Sequence, residues 1–178
     1  MSNQITKFME DSCQDKGEAR QRILTSSAKN VTEFDSKLRT LAGHMASIMH
    51  GHKGIGLAAP QIGVGLRLCI IEIPGTGTTH YICNPEIVHL SKKNQLGQEG
   101  CLSLPGVFLP TRRPKYLRFM YQDLEGKHYE QPCEGLFARA VCHELDHLDG
   151  KLFIHRLSEK RCREIVCRIG DLKERGKW

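Results

Sequence analysis

The sequence His143-Glu144-Leu145-Asp146-His147 limits the fold and chemistry of this chain more than any other feature. Four residues along an α-helix correspond to about 400° of rotation, so His143 and His147 project from one face, one turn apart, and can bind one metal ion. Glu144 is rotated off that face and is better placed to act on a water molecule than to bind the metal. The motif therefore predicts a helix with two metal ligands and a carboxylate.

The residues around this motif predict that the helix is buried. Asp149-Gly150 supplies a stop signal directly after it. Apolar side chains recur around it at helical spacing, namely Leu136, Phe137, Ala140, Val141, Leu145 and Leu148. A catalytic metal site would need a third protein ligand and an open fourth position. The alternative is that the two histidines bind no metal and form hydrogen bonds with carboxylates or backbone groups instead.

Composition indicates a globular chain of ordinary type. With 178 residues, 39% of them hydrophobic and 26% charged, the chain is large enough for one domain with a core of its own. Its N-terminus lacks the apolar core of a signal peptide, and no apolar run approaches the roughly 18 residues needed to cross a bilayer. We therefore expect a protein that is not secreted, has no membrane span, and keeps its eight cysteines reduced, without disulfides.

Periodicity predicts an α+β fold, with small antiparallel sheets packed around a central metal-binding helix. An N-terminal amphipathic helix is predicted from an N-cap at Asp35 to about His50-Gly51, and a C-terminal helix ends the chain. Residues 1–19 are predicted to form a loose arm and residues 20–178 a single domain. Short strands are predicted over 66–73, 80–83, 86–90, 116–122 and 127–131.

The C-terminal segment concentrates positive charge, in a chain whose formal net charge is +6. Its basic residues are Lys160, Arg161, Arg163, Arg168, Lys173, Arg175 and Lys177. They are typical either of a polyanion-binding surface or of the solvated side of an amphipathic helix. An apolar stripe favours the second interpretation, and it consists of Ile165, Val166, Ile169 and Leu172.

Two further segments could complete a site around the metal-binding helix. Cys101 lies in Gln98–Gly106, where glycines permit close backbone approach, so this segment is interpreted as a site loop. Gly54–Gly63 follows the first long helix and has small residues that leave its backbone open to an extended peptide. Gln61 in that segment could donate its amide to a developing oxyanion, or could merely hydrogen-bond the turn.

Taken together and in this order, the three segments resemble the motifs of peptide deformylases. Gly54–Gln61 is similar to the first motif of that family, Glu99–Ser103 to the second and His143–His147 to the third. The resemblance extends from about Ile23 to beyond Arg156. It implies a metal-dependent hydrolase that removes the formyl group from the N-terminal formylmethionine of newly made polypeptides and releases formate.

The resemblance also implies a role for individual residues. Cys101, His143 and His147 would bind the metal, and Glu144 would take the proton of the attacking water and deliver it to the leaving amine. The oxyanion would be held by the Gln61 side chain and the Leu102 backbone N–H as well as by the metal. Backbone contacts to the peptide would come from Ile55, Gly56, Gly100 and Leu102.

The resemblance implies one divalent metal ion as cofactor. Members of the family are known for using Fe²⁺, and Zn²⁺, Ni²⁺ or Co²⁺ can replace it. The ligand types alone suit zinc at least as well, so they do not decide which metal is native. The implied partners are N-formylmethionyl nascent peptides and, through the basic C-terminal helix, a transient contact with the ribosome. The implied location is the cytoplasm or an equivalent organellar matrix.

Two positions depart from the family pattern. Cys142 stands where glutamine commonly precedes the first metal histidine, and we expect it to be a packing substitution. Phe108 stands where some members carry an arginine that contacts the peptide, so sequence preference beyond methionine stays open.

Two other functions are compatible with the residues. One is a metallopeptidase of another kind, whose third ligand would come from the downstream residues His155, Glu159 or Glu164. The other is a non-catalytic module that a metal stabilises and whose basic helix binds RNA or the ribosome. A free Glu144 argues against the module, because a purely structural site has no use for it.

Overall fold

The computed structural model describes residues 22–158, 160–165 and 167. The helices and strands in chain order are α1 (Ser36–Gly51), β1 (Gly56–Ala58), β2 (Leu68–Glu72), β3 (Thr79–Leu90), β4 (Asn94–Cys101), β5 (Leu104–Pro114), β6 (Tyr116–Gln122), β7 (His128–Glu134) and α2 (Gly135–Leu148). Short 3-10 helices span Ala59–Ile62 and Phe153–Arg156, and residues 160–165 and 167 are also helical. The predicted α+β class is confirmed.

The strands form two antiparallel sheets. One has five strands in the order β1-β2-β3-β6-β7, and the other is the two-stranded β4-β5 sheet. α2, the helix that carries the His143–His147 motif, packs against β1, β2, β5 and β7, so it contacts both sheets. α1 packs against β1 and β2. The motif helix therefore lies at the centre of the fold, as predicted.

Strand β2 is buried on both of its faces. Successive side chains of a strand point to opposite faces, and here Cys69 and Ile71 enter the core with α2 while Leu68 and Ile70 enter the core with α1. This two-sided burial explains why β2 is a continuous apolar run rather than an alternating pattern.

Helix α1 follows its sequence prediction. The Asp35 side chain caps its N-terminus by accepting a hydrogen bond from the Leu38 backbone N–H at 3.0 Å. The helix ends at Gly51, and one face of it is buried through Leu38, Ala42, Met45 and Met49.

The strand predictions are partly right. β6 has the predicted bounds, whereas the predicted segments 80–83 and 86–90 are parts of one strand, β3, whose register shifts between Cys83 and Glu86. Asn84, with φ of 51°, and Pro85 explain why the sequence indicated a break there. β1 was not predicted, and it lies in the turn assigned to Gly54–Gly63.

The segment interpreted as a site loop is a β-hairpin. β4 ends at Cys101 and β5 begins at Leu104, with the register pairing these two residues. The sequence did not indicate these strands because β4 is largely polar and β5 contains three prolines. A sheet of only two strands tolerates them, since each strand has one edge that needs no partner.

The predicted N-terminal arm and most of the predicted C-terminal helix lie outside the described residues. Within the described part, Ile165 packs with Leu104 and Phe153 in a third core cluster. The division at residue 20 stays a prediction. None of the helices in the described part is both long and apolar enough to span a membrane, and the cysteines described are all free thiols.

Candidate metal centre and active site

Three predicted ligands meet at one point between the two sheets. His143 and His147 lie one turn apart on α2, with ring centroids 4.9 Å apart, and Cys101 is the last residue of β4. The Cys101 Sγ atom is 3.2 Å from His147 Nε2, and the ligand atoms of the three residues all lie within 4.8 Å of one another. No other group of this kind occurs among the residues that the structure describes.

This donor set fits a single divalent transition-metal ion. Tetrahedral ligands at Zn–S and Zn–N bond lengths of about 2.0–2.3 Å stand roughly 3.3–3.7 Å from one another, close to the 3.2 Å between Cys101 Sγ and His147 Nε2. A thiolate is the metal-binding form of cysteine. Burial disfavours it, but His147 and His143 outweigh that effect and hold the pKa of the Cys101 thiol well below its usual range.

The first histidine is oriented by a buried carboxylate. His143 Nδ1 lies 3.1 Å from Glu99 Oε2, so the Nε2 atom of the ring is left for the metal. Glu99 is only 5% exposed. Although burial opposes its ionisation, hydrogen bonds from Arg113 and His143 lower the pKa of Glu99 to about 2.

Glu99 belongs to a buried ionic network that ties β4, β5 and α2 together. Arg113 donates from Nε and Nη2 to the two Glu99 oxygens at 2.9 and 2.8 Å, and from Nη1 to Asp146 Oδ2 at 2.7 Å. Arg139 also donates to Glu99, at 2.6 Å, and Arg156 pairs with Asp146 from the outer side. The elements that supply the three ligands are thus held in register by charge pairs as well as by packing.

Glu144 is buried beside the three predicted ligands. It is 4% exposed, and its Oε2 atom has no hydrogen-bond partner in the described part of the chain. Burial raises the pKa of Glu144 to about 7, against the lowering effect of His143 and His147. A buried carboxylate without a partner is costly, and such groups cluster at functional sites.

Gly56 provides the space that Glu144 occupies. A Cβ atom at position 56 would lie 2.3 Å from Glu144 Oε1 and 3.0 Å from its carboxyl carbon. We expect Gly56→Ala to displace the carboxylate and to lower kcat/KM for the substrate that the family resemblance implies, a formylated peptide, by about 100-fold, the scale of a misplacement of about 1 Å. Metal content should stay at the wild-type level, because the alanine methyl group meets Glu144 rather than a ligand.

Gly43→Ala is the matched control for this prediction. Gly43 lies on α1, and a Cβ atom there would meet nothing within 4 Å. Steady-state kinetics and metal analysis of both variants make the comparison. Equal activity in the two alanine variants would contradict the assignment of Gly56 as the space for Glu144.

Gln61 is oriented by its own turn so that its amide N–H points at the site. Its Oε1 atom accepts a hydrogen bond from the Ala58 backbone N–H at 2.8 Å. The Nε2 atom therefore faces the other way, 3.6 Å from Cys101 Sγ and 3.3 Å from Ser103 Oγ. The Ala58 hydrogen bond bears out the interpretation of Gln61 as a residue that holds the turn, and its role toward an oxyanion stays a prediction.

The hairpin turn after Cys101 consists of Leu102 and Ser103. The Ser103 backbone N–H lies 3.4 Å from Cys101 Sγ, within reach of a hydrogen bond to sulfur. Gly100, just before the cysteine, lies under the Phe108 ring, because a Cβ atom there would be 2.4 Å from Phe108 Cε1. Gly100 and Ser103 therefore both bring backbone atoms close to the predicted ligand Cys101.

Of the ligands that the alternative metallopeptidase would need, neither His155 nor Glu164 belongs to the group of ligand atoms found among the described residues. His155 Nδ1 accepts a hydrogen bond from the Leu152 backbone N–H at 2.8 Å, and Glu164 is exposed and pairs with Arg161. Glu159 lies outside the described residues. Cys142 is a buried core residue whose pKa is raised by burial to about 11, in keeping with a packing substitution.

The sequence did not reveal the partners of Glu99. Arg113 and Arg139 lie 14 and 40 residues after Glu99 in the sequence, and their contacts with it depend on the hairpin that was interpreted as a loop. The available signal was the acidic residue Glu99 in the second motif and Asp146 in the third, because a buried acid requires a buried base.

The model of the polypeptide deformylase family matches residues 17–163 of this chain. The chain belongs to the polypeptide deformylase family. It is 48% identical to a peptide deformylase from Thermoanaerobacter pseudethanolicus over 134 residues, 75% of this chain and 82% of that protein. It is 43% identical to one from Bartonella tribocorum over 151 residues, 82% of this chain and 84% of that protein.

Solved deformylase structures share the fold. The crystal structure of a peptide deformylase from Synechococcus elongatus in complex with actinonin has a TM-score of 0.79 and 35% identity, covering 84% of this chain and 83% of that one. This deformylase is therefore an enzyme, a metal-dependent hydrolase that removes the formyl group from the formylmethionine of new polypeptides and releases formate. The family uses a divalent metal.

Proposed function

We propose that this deformylase holds its divalent metal through Cys101, His143 and His147. The observation that carries the proposal is the convergence of their ligand atoms within 4.8 Å of one another, beside a buried carboxylate that is not a ligand. One thiolate and two imidazoles leave a fourth position for catalysis, in contrast to a structural site with four protein ligands. When bound, the ion supplies a water nucleophile near neutral pH and polarises the formyl carbonyl.

In this proposal Glu144 moves the proton. Its carboxylate takes a proton from the attacking water and delivers it to the amine of methionine as the amide bond breaks. The raised pKa of about 7 suits a group that must both accept and return a proton near neutral pH. Gly56 supports the role, because it allows the carboxylate to stand close to the strand beside which the peptide would lie.

Gln61 and Leu102 are proposed to stabilise the oxyanion. The Gln61 amide donates toward Cys101 Sγ, and the Ala58 backbone N–H prevents it from flipping by occupying Oε1. Leu102 follows Cys101 in a tight turn, so its backbone N–H lies next to the same sulfur ligand. Donors that are already in place stabilise developing charge without reorganisation.

The peptide is proposed to bind along the backbone of Ile55, Gly56, Gly100 and Leu102. β1 is the edge strand of the five-stranded sheet and β4 belongs to the two-stranded sheet, so each has an edge that other strands do not cover. An extended peptide can add to such edges through main-chain hydrogen bonds.

We propose Fe²⁺ as the native ion by family resemblance, with Zn²⁺, Ni²⁺ or Co²⁺ able to substitute. Cytoplasm or an organellar matrix is the proposed location, where thiols such as Cys101 stay reduced. A transient ribosome contact through the basic C-terminal helix is proposed from its charge, with lysine and arginine well suited to a polyanionic surface.

The test is formate release from formyl-Met-Ala-Ser by protein purified without oxygen and with its metal quantified. We expect turnover proportional to bound iron, and little release of acetate from acetyl-Met-Ala-Ser, whose acyl group is larger by one methyl. A protein fully loaded with a divalent ion that releases no formate would contradict the proposal. Activity proportional to zinc instead would contradict only the choice of metal.

A further inference from the structure

The β4-β5 sheet carries apolar side chains on its outer surface that the proposed chemistry does not use. Leu96 is 72% exposed and Phe108 is 68% exposed, whereas the other exposed large apolar side chains in the described part are 37–47% exposed. Pro110 is exposed as well. Exposed apolar residues on a two-stranded sheet promote aggregation, and exposed apolar patches often mark binding sites. We therefore consider what could bind to these residues.

Strand register places these three residues on one face. Gly100 pairs with Phe108, Gln98 with Pro110 and Leu96 with Arg112. Residues two apart on a strand share a face, so Phe108 and Pro110 are neighbours along β5 and Leu96 is the diagonal neighbour of Pro110. We name this set, Leu96, Phe108 and Pro110, the hairpin face.

The opposite side of the same sheet faces the protein interior. Three side chains on that side are at most 5% exposed, namely those of Glu99, Thr111 and Arg113. Their positions alternate along the strands with those of the hairpin face. The hairpin face is therefore the outer side of the sheet, and the opposite side already packs against the protein interior.

The hairpin face is continuous with the active site. The Phe108 ring lies on Gly100, which immediately precedes Cys101. From Gly100 to Leu96 there are four strand steps of about 3.3 Å, roughly 13 Å in all, a distance that about four residues of an extended peptide cover. A peptide that passes Gly100 with its first residue reaches Leu96 with about its fifth.

We infer that the far end of the hairpin face, at Leu96, binds apolar side chains of the formylated polypeptide beyond its third residue. The inference rests on the proposed path of the peptide past Gly100. An extended chain is favoured as the occupant because the face begins beside Cys101 and runs along the strands, as an extended peptide would. Substrates with an apolar residue at position five would then be processed faster than polar ones.

The test compares two six-residue substrates, formyl-Met-Ala-Ser-Ser-Leu-Ser and formyl-Met-Ala-Ser-Ser-Ser-Ser. Residue five of the peptide lies opposite Leu96, and residues that lie opposite each other on neighbouring strands project to the same side, so its leucine can meet the face. We expect kcat/KM to be about fivefold higher for the leucine peptide, in line with partial burial of apolar side chains on binding.

Leu96→Ser should bring that ratio close to one and leave kcat/KM for formyl-Met-Ala-Ser unchanged, because the shorter peptide ends before Leu96. The matched control is Leu90→Ser, which changes a 47% exposed leucine on β3, in the other sheet. This control should keep the fivefold ratio.

Three results would overturn the inference. These are equal kcat/KM for the two six-residue peptides in the unmodified enzyme, a preference that survives Leu96→Ser, and a dimer in sedimentation velocity that Leu96→Ser dissociates, which would assign the face to a second copy. Failure of the proposed function is distinguishable, since formyl-Met-Ala-Ser would then not be hydrolysed at all. In that case the dissociation constants of the two long peptides for Glu144→Gln would still test the face, and equal values would reject it.

Discussion

Glu144→Gln should lower kcat for formyl-Met-Ala-Ser by about 10³-fold, within the range that general acid-base catalysis contributes. The amide has nearly the same shape as the carboxylate but cannot take a proton from the attacking water. Metal content should be unchanged, because Cys101, His143 and His147 are the proposed ligands. Formate release and metal analysis on the same preparation measure both quantities.

Glu134→Gln is the matched control, since it changes an exposed carboxylate at the start of the same helix whose side chain makes no capping hydrogen bond. It should retain wild-type kcat. If Glu144→Gln keeps both its metal and its rate, Glu144 has no part in the chemistry. If it loses the metal, Glu144 acts on the ligands rather than on the water.

Arg113→Met should lower the free energy of unfolding of the metal-loaded enzyme by about 3 kcal/mol. Arg113 is 3% exposed and neutralises Glu99 and Asp146 together, so a methionine would leave two buried carboxylates short of hydrogen bonds. Arg139 and Arg156 still contact these acids, which places the expected loss at the lower end of the range for a broken buried pair. Equilibrium urea unfolding measures it.

Arg118→Met provides the comparison for a surface pair. Arg118 and Glu130 lie 2.9 Å apart, but their side chains are 49% and 46% exposed. Solvent screens such a pair, so this variant should lose about 0–1 kcal/mol. If the two variants lose equal stability, the buried network contributes no more than an ordinary surface contact.

Predictions from sequence succeeded where a pattern is local. α1 was predicted from a capping aspartate and an apolar stripe, and both α2 and β6 follow from short-range periodicity and stop signals. The strands β4 and β5 were missed because prolines and glycines in their sequence are typical of loops. Their pairing to each other across Cys101 and Leu104 outweighs these local preferences.

The sequence by itself indicated the helix that carries His143 and His147 and the three segments of the candidate site, because helical spacing and motif order are properties of the chain alone. Only the tertiary structure decided how those segments are held. The hairpin brings Cys101 to His147, Gly56 makes room for Glu144, and Arg113 joins Glu99 to Asp146. These contacts join residues tens of positions apart, and their geometry depends on which strands pair, which local sequence pattern does not encode.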